Sequence, residues 1–132
     1  MKKIAKILKD DGIFLFSIAH PMKFGSFLKK TKRVDACLLG YRKYNQKRCE
    51  VFGDYLHERK IYDKWFDEFE VNFFHRPFSK IFGDILKSDF YIIDFIEPAP
   101  IKSDIKGSEI FFQIYSKIPM FAIFELKKKK FL

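Results

Sequence analysis

Apolar residues cluster at the two ends of this chain, and the pattern loosens between them. Ile4, Ala5, Ile7 and Leu8 share one helical face, with Lys2, Lys3, Lys6 and Lys9 outside it. The pattern stops at Asp10-Asp11-Gly12, where Gly12 is expected to take the left-handed conformation that closes a helix. Ile13-Phe14-Leu15-Phe16-Ser17-Ile18-Ala19 follows, an almost continuous apolar run that predicts a strand covered on both faces. His20-Pro21 ends it, because proline offers no N–H to a ladder and restricts the residue before it. Helix, turn and buried strand together predict one αβ step of a parallel α/β sheet.

Order returns at Val71–Pro77. Pro77 suits the first turn of a helix, and Phe78, Ile81, Phe82, Ile85 and Leu86 form an amphipathic stripe behind it. Phe90–Ile96 reads as a strand, stopped by Glu97-Pro98-Ala99-Pro100. A polar loop runs to Gly107, a short apolar segment spans Ile110–Tyr115, and Met120–Phe124 reads as a last strand. Between the two ordered parts, residues 22–60 carry no clear period. Ala36, Leu38, Leu39 and Tyr41 surround Gly40, and Tyr41–Arg48 is polar and basic. This stretch reads as an insertion of short helices or a loose hairpin. Tyr55–Phe69 mixes aromatic and charged residues and reads as a surface segment on an active-site rim.

Composition narrows the class. The chain has 132 residues, enough for one domain or part of one, and its 48% hydrophobic content excludes a disordered chain. The net charge of +9 lies wholly in residues 1–60, with 15 Lys/Arg against 6 Asp/Glu, while residues 61–132 balance at 11 each. A basic half can attract nucleic acid or an anionic surface, and it can equally be a solvated lysine-rich face. Lys127–Lys130, ahead of Phe131 and Leu132, reads as a frayed, solvated tail. Cys37 and Cys49 are too few for a disulfide framework, and no Cys/His cluster suggests a metal site. With no leader peptide and no span of about 18 apolar residues, a cytoplasmic location is expected and a membrane is not.

Three segments resemble a known family. Ile7–Pro21 is similar to the helix, turn and fifth strand of class I S-adenosylmethionine-dependent methyltransferases, with Asp10 and Asp11 where that family commonly has proline and glycine. Phe74-His75-Arg76-Pro77, a helix, Asp89-Phe90-Tyr91-Ile92-Ile93 and Glu97-Pro98-Ala99-Pro100 resemble a series found in its small-molecule subgroup. Ile118–Phe124 resembles the final strand, which in that family pairs antiparallel with the one before it. The resemblance implies an α/β fold: the C-terminal part of a Rossmann-like methyltransferase sheet with a helical or irregular insertion. It also implies that residues 1–132 are a single partial domain whose cofactor-binding N-terminal half is absent. The six glycines include no GxG turn of the kind that lets backbone approach a cofactor. S-adenosylmethionine is therefore the cofactor of the complete fold and is not expected to bind this chain alone.

No catalytic residue is identified. His20, at the carboxyl end of its strand, could orient a substrate or accept a proton, or simply cap local backbone. His75 and Arg76 precede a helix expected to face the same cleft. Arg76 could hold a substrate carboxylate or phosphate, or pair with a nearby acid. Tyr62, with Trp65, could line a substrate lid or form a packed rim, and Glu97 reads as structural. There is no GxSxG elbow and no phosphate-binding P-loop. The expected activity is methyl transfer to a small molecule, by a fragment or subunit inactive alone. The expected partner is a complementing chain or a second copy, paired through the open edge of the Ile13–Ala19 strand. Nucleic acid is not the expected partner, because Lys29-Lys30-Thr31-Lys32-Arg33 belongs to no recognised module. A basic interaction or RNA-binding module on the same fold is the alternative.

Overall fold

The computed structural model describes residues 1–65 and 68–130. In chain order these form α1 (Lys2–Ile7), β1 (Ile13–Ala19), α2 (Pro21–Gly25), β2 (Phe27–Lys30), β3 (Asp35–Leu38), β4 (Gly40–Asn45) and β5 (Arg48–Phe52). There follow β6 (Arg59–Trp65), β7 (Phe69–His75), α3 (Phe78–Leu86), β8 (Phe90–Ile96), α4 (Glu109–Tyr115) and β9 (Phe121–Lys128). Two compact units result: Met1–His20 with Phe82–Leu132, and Pro21–Ile81. No described helix is long and apolar enough to cross a membrane.

The first unit is built on a three-stranded sheet in the order β1-β9-β8, with both pairings antiparallel. The antiparallel final pair expected from the sequence is present. The parallel step expected at β1 is not formed within the described residues, because β9 returns between β1 and β8. Those two strands run in the same direction on either side of it. Ala122, Phe124 and Leu126 of β9 are fully buried, as are Phe90 of β8 and Ile85 of α3. Each large apolar side chain so buried contributes about 1.5–3 kcal/mol. Phe124 is the hub: its ring stacks on Phe16 at 5.1 Å and meets Phe95 at 4.9 Å and Phe82 at 5.3 Å. Aromatic pairs at such separations add a further gain beyond the area they bury.

Three sequence expectations change here. β1 is covered on one face only: Phe14, Phe16 and Ile18 turn inward, while Leu15 stays 64% exposed and Ile13 52%. The apolar run was written for two faces, and the second finds no partner among the described residues. Gly12 does not close α1 in the left-handed region, since Leu8 ends that helix in an extended conformation. Glycine is needed at position 12 for space, because a Cβ there would lie 2.6 Å from Leu8 Cγ. The Lys127–Lys130 run is not a frayed tail either. Lys128 Nζ reaches Leu8 O (3.1 Å) and Asp10 Oδ1 (3.0 Å), and Lys129 Nζ reaches Ser88 O (2.7 Å) and Leu86 O (3.2 Å). Phe131 and Leu132 lie outside the described residues.

Of the two expectations for the insertion, short helices or a loose hairpin, the second unit follows the hairpin one. Apart from the five-residue α2 and the first turn of α3, its described elements are three antiparallel strand pairs, β2-β3, β4-β5 and β6-β7. β2 and β4 are exposed along their whole length, so no buried face imposed an apolar alternation on them. The unit's packed centre lies beside β7, where Phe24 stacks on Phe73 at 4.7 Å. Arg59 on β6 ties this centre together, donating from Nη2 to Phe24 O at 2.6 Å and from Nη1 to Asp54 O.

Candidate functional site

In the first unit, the carboxyl ends of β1 and β8 lie at one edge of the sheet, on either side of β9. Ligands of open α/β sheets bind at this kind of edge. His20 follows β1 directly and is buried. Glu97 follows β8 directly and has a side chain 48% exposed. His20 Nε2 lies 2.7 Å from Glu97 Oε1. A carboxylate only accepts, so the imidazole donates through Nε2, which fixes its tautomer. The His20 backbone N–H donates to Met120 O at 2.9 Å, anchoring the residue to the start of β9. The result is a histidine and a carboxylate locked together, with the carboxylate reaching solvent. Such a pair can hold a substrate's donor group or exchange a proton with it.

The sequence singled out His20 as a candidate and gave Glu97 a structural role; the structure brings the two side chains together. The signal for the pair was available, since both residues end predicted strands immediately before a proline. Nothing local, however, says that those two strand ends approach each other.

His75, Arg76 and Tyr62 belong to the second unit. His75 is 1% exposed, and its Nε2 donates to Tyr55 O at 2.8 Å. Its Nδ1 is buried with no hydrogen-bond partner. The Tyr55 hydroxyl accepts the Phe78 N–H at 3.1 Å, so one tyrosine holds both the end of β7 and the first turn of α3. Arg76 Nε donates to Glu58 Oε1 at 3.3 Å, with both side chains about one-third exposed. An ion pair that accessible is worth at most about 1 kcal/mol. Tyr62 projects from β6, 74% exposed, with Lys60 Nζ 5.2 Å from its ring centre. The side chain of Trp65 lies outside the described residues.

In the same unit, Asp54 Oδ1 and Oδ2 accept from His57 Nδ1 at 2.9 and 3.0 Å. That bond holds the Asp54 carboxyl below the usual aspartate range. Tyr44 and Glu50 beside Arg42 push its guanidinium pKa up. Among the described residues no group of three or more His, Cys, Asp or Glu side chains is arranged to hold a metal.

No family model and no curated protein matches the sequence. Among solved structures, one from Listeria monocytogenes, designated an S-adenosylmethionine-dependent methyltransferase, aligns with a TM-score of 0.67 at 23% identity. The match covers 98% of this chain and 53% of that one, so this chain spans about half the length of its neighbour. The fold is methyltransferase-like.

The described residues do not form a cradle for the cofactor named in that designation. Such a cradle needs a glycine turn at a strand's carboxyl end, where backbone N–H groups can approach the ligand. Here β1 leads into His20-Pro21 and β8 into Glu97-Pro98, and proline has no N–H to give. The left-handed glycines, Gly40, Gly53 and Gly107, lie elsewhere in the chain.

Proposed function

We propose that these 132 residues are the substrate side of an S-adenosylmethionine-dependent methyltransferase acting on a small molecule. In this reading they are inactive alone, and the cofactor is carried by a further α/β segment paired along β1. His20 and Glu97 form the acid–base edge that meets the substrate in the first unit; His75, Arg76 and Tyr62 of the second unit stay candidates on the family resemblance alone. The single observation that carries the reading is the fold match over 98% of this chain and only 53% of the neighbour.

The edges of the sheet support the position of the missing partner. β8 is blunted as a free edge by Asp94, by the register shift between Ile92 and Asp94, and by Pro98. β1 has none of these protections: it carries no charge, no proline and no register shift from Ile13 to Ala19. Its open edge and its exposed Leu15 and Ile13 suit a strand and a covering element from a completing segment. A cytoplasmic location goes with the reading, in keeping with two free, exposed thiols at Cys37 and Cys49.

Calorimetry with S-adenosylmethionine tests the division. The chain alone should give no binding. Co-expression with the part of the Listeria protein outside the match should give a complex that binds at micromolar affinity. Micromolar binding by the isolated chain would overturn the proposal.

A further inference from the structure

The β4-β5 hairpin carries a groove that the methyltransferase reading does not use. It is a depression of about 840 Å³ whose lining includes Tyr41 and Lys43 of β4, Val51 of β5, and Lys47 at the turn. Alternate residues of a strand face the same side, so Tyr41 and Lys43 share one face of β4, opposite Val51 and Cys49, before the register shifts ahead of Asn45. The row presents an aromatic ring and then a cation. Tyr41 is 75% exposed, far more than an aromatic kept for packing. The opposite face of the hairpin is occupied with itself: Tyr44 donates to Glu50, Arg42 donates to Tyr44, and the Arg48 guanidinium lies 4.7 Å from the Tyr44 ring centre.

Charge supplies the second argument. Residues 27–52 contain eight Lys/Arg and two Asp/Glu, a local charge of +6 out of the chain's +9. Among the described residues, no ion pair or hydrogen bond engages the ammonium groups of Lys29, Lys30, Lys32, Lys43 and Lys47. The cations near the unit's centre, by contrast, are used: Arg59 on backbone carbonyls and Arg76 on Glu58. Unpaired cations beside an exposed ring are complementary to a flexible polyanion whose bases can stack.

We propose that this face of β4-β5 binds single-stranded RNA, with a base stacked on Tyr41 and the backbone phosphates along Lys43 and Lys47. The basic first half made RNA an alternative partner from the sequence, but nothing there singled out this hairpin, which belongs to no recognised module. The row becomes visible only once β4 is known to be a strand.

Fluorescence anisotropy of a labelled oligouridylate of about 12 nucleotides, titrated with the full chain at about 20 mM salt, tests the proposal. Saturable micromolar binding is expected, with log affinity falling against log salt at a slope of roughly −2 to −3.5, as three to five phosphate contacts require. Tyr41→Ala should weaken binding by about 5- to 100-fold, the loss of one stacked base, and leave the salt slope unchanged. Lys43→Glu with Lys47→Glu should weaken it by more than about tenfold and flatten the slope by roughly one to two. Absence of saturable binding, or an unchanged affinity in Tyr41→Ala, would overturn the proposal. Binding to phosphatidylserine vesicles in place of the oligonucleotide would overturn it equally, in favour of a lipid surface. None of these outcomes depends on S-adenosylmethionine, so they are independent of the methyltransferase reading.

Discussion

His20 and Glu97, 77 residues apart in sequence, meet at 2.7 Å and join the ends of the two strands that flank β9. The histidine is buried and the acid is half in water, so removing the acid strands a buried donor. Glu97→Ala should destabilise the fold by about 1–3 kcal/mol, while Glu97→Gln, which keeps an acceptor oxygen, should cost less than about 1 kcal/mol. Urea unfolding of both variants checks this. Equal stability of Glu97→Ala and the parent chain would show that the contact does not hold the strand ends.

Lys129 closes the carboxyl end of α3 through Leu86 O and Ser88 O. Helix ends leave carbonyls without intrahelical partners, and a cation there also meets the negative end of the helix dipole. Lys129→Met, which keeps the apolar stem, is expected to lower stability by about 1 kcal/mol. Lys130→Met provides the exposed control and should be neutral in the same denaturation series.

Two glycines should respond to alanine in opposite directions. Gly53 has φ +78°, and a Cβ there would lie 2.5 Å from Gly25 O, a backbone atom that cannot swing away. Gly53→Ala should cost about 2–4 kcal/mol. Gly83 lies in α3 with nothing within 4 Å of its would-be Cβ. Gly83→Ala should therefore stabilise by about 0.5–1 kcal/mol, since alanine surrenders less entropy on entering a helix. Thermal unfolding should move down for the first and up for the second.

The open edge of β1 should make the isolated chain associate. Leu15→Lys puts a charge in the centre of the exposed face, the device natural edge strands use against pairing. Sedimentation velocity is expected to show concentration-dependent association for the parent chain and a monomer for Leu15→Lys. A parent chain that stays monomeric at high concentration would argue against β1 as the docking edge.

The Asp54–His57 contact gives a local pH signature. Because the folded chain holds the Asp54 carboxyl below its ordinary value, the contact stabilises above the unfolded pKa and is lost as pH falls through the folded one. Carbon-13 titration should find the Asp54 midpoint below about 3.9, returning upward in His57→Ala. An unchanged midpoint in that variant would remove the histidine as the cause.

Much of the first unit could be read from the chain. β1, α3, β8 and β9 announce themselves by unbroken or amphipathic apolar runs, and Pro21, Pro77 and Pro98 punctuate them through the missing N–H and the fixed φ. Pro77 sits one position outside the helix it was expected to begin, with its carbonyl accepting from Lys80 and Ile81. The hairpins of the second unit were not legible in the same way. β2 and β4 bury no face, so water imposed no alternation on their sequence, and their cross-strand pairs are visible only in three dimensions.

The sequence by itself therefore determined the strands and helix whose apolar residues must leave water, and the family likeness those elements carry. Only the tertiary structure decided that β9 inserts between β1 and β8, that one face of β1 stays bare, and that His20 meets Glu97. Those outcomes depend on contacts between residues far apart in the chain. Local propensity and periodicity carry no information about which distant strand becomes a neighbour.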